Sequence, residues 1–164
     1  MNLAKAHPVE NEFGEIETND VVIRSYTSIG TVQGYGKVEI EAREAVIPDR
    51  RHAAYFVKIG LQTADEFPQT AAALIQYDNV PKLLTSLERL EKAVIKTDRF
   101  AYSEIEYDVD GLRIIVFNDA RGKIMFVISA MNVSIHFSTI ASLTTLRGLI
   151  ERAYKHLDCF KLDF

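Results

Sequence analysis

The stretch LLTSLERLEKAV (83–94) decides the fold, because it returns in altered form as SLTTLRGLIERAY (142–154). In both copies apolar residues recur at intervals of three and four, the spacing of a helix that lays one stripe on a core. When the two stretches are aligned without gaps, identical residues fall at four positions: Leu84 and Leu143, Thr85 and Thr144, Leu87 and Leu146, and Leu90 and Leu149. Glu88 of the first copy becomes Arg147 in the second, and such a departure is where an adapted contact is expected. The repeat predicts two related helices, each of which closes one half of a duplicated unit.

Each predicted helix has one apolar stripe and a candidate capping residue. The predicted stripe residues are Leu84, Leu87, Leu90 and Val94 in the first helix, and Ile140, Leu143, Leu146, Ile150, Ala153 and Leu157 in the second. Asp78 is placed to cap the first helix, and Ser138 or Thr139 is placed to cap the second. Gly148 costs its helix about 1 kcal/mol relative to alanine, which indicates either close packing or tolerance at that point.

Four strand-like runs precede each helix. They lie within 20–44, which holds two strands around a glycine turn, and at 52–62, 70–77, 103–109, 112–118, 123–130 and 132–138. Side chains along a strand alternate between two faces, so Val38 and Ile40 are predicted to be buried while Lys37 faces water. Asp110 followed by Gly111 predicts a tight hairpin turn. The sequence therefore predicts an α+β fold, a duplicated ββββα unit with two antiparallel four-stranded sheets and two packed helices.

The chain is most simply one domain. Its 164 residues, of which 48% are hydrophobic and 26% are charged, are typical of a globular protein that can bury a core. We expect a flexible N-terminus at 1–12 and a single domain at 13–164, built of halves at about 13–98 and 99–164. One half alone would bury its sheet poorly, so the pairing of the halves is expected to be obligatory.

Charge and cysteine use narrow the functional classes. A net charge of −4 disfavours binding of nucleic acid through bulk attraction to phosphate. The single cysteine excludes an internal disulfide framework, and no histidines have the spacing of a zinc site. GTVQGYGK (30–37) lacks the residue order of a phosphate-binding loop and is interpreted as a hairpin turn. No apolar run suits a signal peptide or a membrane span, so we expect a cytoplasmic protein with no cofactor, metal or membrane partner.

The run EIEYDVD contains the most suggestive group of chemical residues. Alternation puts Glu104, Glu106 and Asp108 on one strand face, at separations that an acid and base pair or a calcium site could use. A solvated outer face is the simpler interpretation. His136 lies opposite an apolar strand face and is expected at a surface or an interface. Cys159 is interpreted as a small buried hydrophobic residue.

Single-stranded nucleic acid is the main alternative ligand, because sheet faces with basic and aromatic residues are good platforms for single strands. The basic residues predicted on strands are Lys37, Arg43, Lys58, Arg113 and Lys123. Phe56 and Phe117 are predicted to share their faces. Acidic residues occupy the wet faces as well, so electrostatics disfavours this function.

Most of residues 36–158 can be compared with one known family. The blocks that carry the likeness are KVEIEAREAV (37–46), AALIQYDNVPKLLTSLERL (72–90), FNDARGKIMFVISA (117–130) and ASLTTLRGLIERAYKHLD (141–158). In the order of these blocks the chain resembles an uncharacterised family of bacterial proteins. That family usually carries an acidic cluster at the strand-to-helix junction, where this chain has Gln76, Tyr77, Asp78 and Asn79. The resemblance implies no activity.

The predicted topology is similar to the whirly fold and its relatives, the PUR-repeat and PC4-like proteins. This second resemblance implies binding of single-stranded nucleic acid and assembly as oligomers. Our leading hypothesis is a non-catalytic binding or assembly module that forms a dimer or a higher homo-oligomer. The alternatives are a single-stranded nucleic-acid-binding protein and, third, a hydrolase or a metal site that uses the strand carboxylates.

Overall fold

A computed structural model describes residues 20–162, so the predicted flexible segment at 1–12 lies outside the described residues. The elements are β1 (Ile23–Gly34), β2 (Gly36–Ile47), β3 (His52–Thr63), β4 (Thr70–Gln76), α1 (Val80–Glu91), β5 (Glu104–Val109), β6 (Leu112–Asn118), β7 (Ile124–Ala130), β8 (Val133–Phe137) and α2 (Ala141–Phe160). Short 3-10 turns at Pro48–Arg50 and Tyr77–Asn79 follow β2 and β4. The predicted order of four strands and a helix, twice over, is confirmed.

The strands form two antiparallel four-stranded sheets. Sheet A has the order β1-β2-β3-β4, and sheet B has the order β5-β6-β7-β8. The alternation of apolar and polar residues sets the register, since Val38 and Ile40 of β2 are buried beside Leu61 and Ile59 of β3. We call the side that these residues occupy the inner face of a sheet, and the opposite side its outer face.

One core unites both sheets and both helices. It contains inner-face residues of sheet A such as Ile59 and of sheet B such as Ile128, together with the helical leucines. The buried helical residues are Val80, Leu83, Leu87 and Leu90 in α1, and Leu143, Leu146, Leu149, Ile150, Ala153 and Leu157 in α2. The rings of Phe126 and Phe137 stack within sheet B with their centroids 4.6 Å apart. The helices therefore lie on the inner side of both sheets.

The predicted helical stripes need correction at their ends. Leu83 is fully buried, whereas the predicted Leu84 is half-buried at the edge of the core. The spacing did not distinguish them, because a residue three or four positions before Leu87 lies on the same side of a helix. Val94 is 78% exposed because α1 ends before it. Ile140, the first residue of the stripe predicted for α2, lies just before the helix and is only half-buried. Leu149 is buried, although the predicted stripe omitted it.

The predicted helix caps also differ from the structure. Asp78 lies in the 3-10 turn before α1 and makes no capping hydrogen bond for the helix, whose N-cap residue is Asn79. The N-cap residue of α2 is Ile140 and not the predicted Ser138 or Thr139. The Thr139 hydroxyl does accept a hydrogen bond from the backbone N–H of Ala141, at 3.3 Å. A Cβ atom at Gly148 would meet nothing within 4 Å, so close packing is wrong and tolerance explains this glycine.

The turn between β1 and β2 joins the two sheets. The backbone N–H of Tyr35 donates to the carbonyl oxygen of His136 in β8 at 3.0 Å. A Cβ atom at Gly34 would lie 2.7 Å from the ring of Phe137, and Gly36 has a φ of +145°. The hairpin interpretation of this glycine-rich run is confirmed, and its glycines allow the turn to approach sheet B closely.

Candidate binding surfaces on the outer faces of the sheets

The structure divides the predicted basic residues between two surfaces. Lys37, Arg43 and Lys58 lie on the outer face of sheet A, whereas Arg113 lies on the outer face of sheet B. Lys123 lies in the loop before β7 and not on a strand as predicted, and its backbone N–H donates to the carboxylate of Asp119 at 2.8 Å. The five residues therefore do not form one basic platform.

Two of the basic residues of sheet A, Arg43 and Lys58, are paired with one carboxylate. Arg43 Nε lies 3.0 Å from Glu41 Oε2, and Lys58 Nζ lies 3.9 Å from the same oxygen. Phe56, which was predicted to share this face as a stacking platform, is only 1% exposed. The guanidinium of Arg43 lies 5.1 Å from the centre of the Tyr26 ring, so that ring is also engaged on one side. This face offers few free groups for phosphates and bases.

The strand carboxylates of β5 are exposed on the outer face of sheet B. Arg113 on the neighbouring strand places its Nε 2.6 Å from Glu106 and 3.0 Å from Asp108. Its hydrogen bond to Asp108 and the charges of both carboxylates raise the pKa of Arg113. These acids are held by a guanidinium on an open face, the geometry of a solvated surface rather than of an acid and base pair in a pocket. Within residues 20–162 no group of three or more His, Cys, Asp or Glu residues could hold a metal ion.

An apolar patch occupies the centre of the same face. Its members, which we call the sheet B patch, are Ile115 and Phe117 of β6 and Met125 and Val127 of β7. All four are half-buried, and none is among the residues that pack against the core. Because both helices lie on the inner side, no helix of residues 20–162 covers this patch.

The register of sheet B arranges its outer face in rows across the strands. The middle row runs Glu106, Ile115, Val127 and His136; the rows beside it run Glu104, Phe117 and Met125, and Asp108, Arg113, Ser129 and Ser134. The acids of β5 therefore border the patch on one side. His136 and Ser134 of β8, both exposed, border it on the other side.

Sequence reasoning missed this patch, although the sequence contains a signal for it. The runs LRIIVF (112–117) and IMFVI (124–128) are apolar almost without interruption, whereas a strand with one wet face alternates. Phe117 was assigned to a nucleic-acid platform, but its neighbours across the strands are Glu104 and Met125. A continuous apolar run predicts a strand with apolar side chains on both of its faces.

A second cluster lies where the C-terminus of α2 meets the strand-to-helix junction. The Tyr77 hydroxyl donates to Asp158 Oδ1 at 2.6 Å, and its ring stacks on Tyr154 with centroids 5.0 Å apart. Lys161 Nζ lies 4.4 Å from the centre of the Tyr77 ring. The hydrogen bond to Asp158 is the main cause that raises the pKa of Tyr77. Each polar group of this cluster has a partner within it, so its role is to hold the end of α2.

Two further features lie near the C-terminal end of α2. A half-open cleft of about 180 Å³ lies between β1 and the end of α2, beside Glu44 and His156. It is smaller than the roughly 300 Å³ at which small-molecule sites begin. Cys159 is exposed and not buried as predicted, because it lies on the solvent side of α2, two residues after the buried Leu157.

Comparison of the sequence with protein-family models gives no match, and comparison with curated proteins gives none either. The predicted family resemblance therefore stays a prediction. In residues 20–162 no helix has both the length and the apolar character needed to cross a membrane.

Proposed function

We propose that this protein is a non-catalytic binding and assembly module whose working surface is the outer face of sheet B. The observation that carries this proposal is the sheet B patch, four apolar side chains on a sheet face without a covering helix in the described residues. An apolar centre with a polar rim is the usual anatomy of a protein interface. The acids of β5 and the polar residues of β8 supply that rim.

The competing functions have weaker support in the contacts. Single-strand binding needs free cations and stacking rings, but Glu41 engages both Arg43 and Lys58, and Phe56 is buried. A hydrolase needs carboxylates gathered around a substrate cleft, but Glu106 and Asp108 lie on an open face beside Arg113. A protein partner is the ligand that an apolar sheet face with a polar rim suits best.

Site-specific photo-crosslinking tests this proposal. The photoreactive residue p-benzoylphenylalanine replaces Val127 at the centre of the patch or, as the control, Val94, an exposed valine outside it. In illuminated cells we expect a discrete cross-linked protein species from position 127 and none from position 94. No species from position 127, or the same species from both positions, would contradict the proposal.

A binding assay tests the alternative function, recognition of single-stranded nucleic acid. A short single-stranded oligonucleotide is mixed with the protein at about 50 mM salt, where attraction to phosphate is strong. We expect no binding. Salt-sensitive binding that weakens in Arg43→Ala would replace the proposed function with single-strand recognition.

A further inference from the structure

We infer that the partner of the sheet B patch is the same patch of a second copy, related by a two-fold axis that runs parallel to the strands between the facing sheets. This inference rests on the proposed function and names its partner. It follows from the register of sheet B and the distribution of charge on its outer face. Two-fold pairs are the commonest assemblies of identical chains, and they require a surface that is complementary to itself.

The middle row of the face is complementary to itself when its order is reversed. An axis parallel to the strands places β5 over the partner's β8 and β6 over the partner's β7. Glu106 then faces the partner's His136, and Ile115 faces the partner's Val127. The symmetry makes each of these contacts twice. The apolar pairs meet at the centre, and the acid and imidazole pairs close both sides.

The neighbouring rows fit the same arrangement. In one of them Phe117 faces the partner's Met125, a pairing of an aromatic ring with a thioether that is favourable in protein interiors. In the other, the charged Arg113 faces the partner's Ser129, which is small and polar. Facing sheets cross at about 30°, which shifts the outer strands by about one residue and keeps the acids of β5 over the polar side of β8.

The charge pattern excludes the other simple two-fold axis. An axis perpendicular to the strands would place β5 over the partner's β5 in reversed direction. Glu104 would then face the partner's Asp108, and Glu106 would face the partner's Glu106. Like charges opposed in an interface weaken binding and suppress that arrangement. Electrostatics therefore selects the axis parallel to the strands.

The size of the face predicts a reversible dimer. Four strands about 4.8 Å apart and about 20 Å long give a footprint of roughly 400 Å² per copy. Because side chains make each face rougher than its flat footprint, the two copies together bury about 1,000 Å², near the lower limit of specific interfaces. We therefore expect dissociation constants of roughly micromolar order, and both species at working concentrations.

Sedimentation velocity on the purified full chain tests the interface. The wild type is expected to show a monomer and dimer equilibrium that shifts with concentration. Val127→Glu places a carboxylate at the centre of the patch and should leave only monomer. Val94→Glu adds the same charge at an exposed valine outside the patch and should leave the equilibrium unchanged. Thermal melts by circular dichroism verify that each variant is folded.

A charge exchange tests the axis. His136→Asp opposes like charges and should weaken association about tenfold or more, because the contact occurs twice. Glu106→Arg in the same protein should restore association, while Asp108 still holds Arg113. Within one copy these positions are separated by three strand spacings, about 14 Å. The rescue of association therefore reports a contact between copies.

The outcomes separate the inference from the proposed function. A chain that stays monomeric at all concentrations overturns the inference, and so does a dimer that survives Val127→Glu. If position 127 then cross-links to a different protein in cells, the proposed function stands with another partner. If it cross-links to nothing, both fail. A dimer lost in Val127→Glu but without rescue in the charge exchange overturns the proposed axis.

Discussion

Asp110 is a residue of the second half that stabilises the first half. Asp110 and Gly111 form the predicted hairpin turn, with φ of +47° and +82°. The Asp110 carboxylate also accepts hydrogen bonds from the backbone N–H of Gln76 at 3.0 Å and from Asn79 Nδ2 at 2.9 Å. The acid that serves the start of α1 is thus Asp110 and not the predicted Asp78. No local sequence pattern predicts these contacts, because Asp110 is more than 30 residues from Gln76 and Asn79 in the sequence.

Substitutions at Asp110 separate its two roles. Asp110→Gly keeps the backbone conformation and loses the acceptor, which should cost about 1 kcal/mol in urea unfolding. Asp110→Ala should cost about 2 kcal/mol, because alanine keeps the Cβ atom that disfavours the left-handed backbone but loses the side-chain hydrogen bonding with which aspartate tolerates it, whereas glycine removes that Cβ. Asp110→Asn, which keeps an acceptor and tolerates positive φ, is the control with the smallest loss. Equal losses for Asp110→Gly and Asp110→Ala would show that the backbone contributes nothing.

Tyr77 should make stability depend on alkaline pH. Its hydroxyl donates to Asp158, which raises the pKa of Tyr77 above its ordinary value of about 10. The folded state therefore holds this proton more tightly than the unfolded state. The resulting stabilisation is complete below about pH 10 and is lost as the pH rises through the folded pKa.

Absorbance of tyrosinate measures this effect. Between about pH 9 and pH 11 the native wild type and Tyr77→Phe should show the same rise, because Tyr77 stays protonated. In urea the wild type should gain the signal of one more tyrosinate. A native difference of one tyrosinate near pH 10 would contradict the shift.

At the scale of the elements, α2 stabilises the molecule through its apolar stripe. Leu146 is 1% exposed in the core, so Leu146→Ala should cost about 2 to 5 kcal/mol in urea melts. Val94 was predicted to lie on the matching stripe of α1 but is exposed beyond its end. Val94→Ala is therefore the control and should cost less than about 0.5 kcal/mol. A loss below about 1 kcal/mol for Leu146→Ala would contradict its assignment to the core.

The sequence predicted the elements better than their contacts. Apolar period and turn residues located all eight strands and both helices, because these signals are local. The choice between Leu83 and Leu84 depends on how α1 sits on the sheets, which the spacing does not specify. Prediction of the sheet B patch would require the knowledge that both helices lie on the inner side of the sheets, which is a property of the assembled halves. Elements follow from neighbours in sequence, whereas surfaces follow from neighbours in space.

One sequence difference between the two related helices creates an ion pair that joins them. Arg147 of α2 stands where the first copy has Glu88, and its Nε donates to both carboxylate oxygens of Glu91 in α1, at 2.9 and 3.0 Å. This hydrogen bond, together with the charge of Glu91, raises the pKa of Arg147. A second ion pair, between Lys92 Nζ at the end of α1 and Glu88 Oε1 at 3.0 Å, is more exposed.

The two pairs should differ in their contribution to stability. Arg147→Gln leaves the Glu91 carboxylate, which is 10% exposed, without its guanidinium and should lower the melting temperature clearly. Lys92→Gln breaks an exposed pair within one helix and should change the melting temperature little. Equal shifts in differential scanning calorimetry would show that the contact between the helices adds nothing.

For the whole molecule, the turn between β1 and β2 makes the two halves one unit. Gly36 has a φ of +145°, and a Cβ atom there would lie 2.6 Å from both the Gln62 carbonyl oxygen and the Ile135 side chain. Gly36→Ala should therefore cost about 2 to 4 kcal/mol, through backbone strain and overpacking. Gly60, in β3, is the matched control, because the nearest atom to its Cβ position is 3.8 Å away. Gly60→Ala should change stability by less than about 0.5 kcal/mol.

Hydrogen exchange shows whether this damage crosses from one sheet to the other. The turn donates to the His136 carbonyl through Tyr35 and contacts Ile135, so β8 should lose protection in Gly36→Ala together with β2. In Gly60→Ala both strands should keep the protection of the wild type. Loss confined to β2 would mean that the halves open independently. Loss in both strands would mean that the sheets unfold together, as a shared core and a shared turn require.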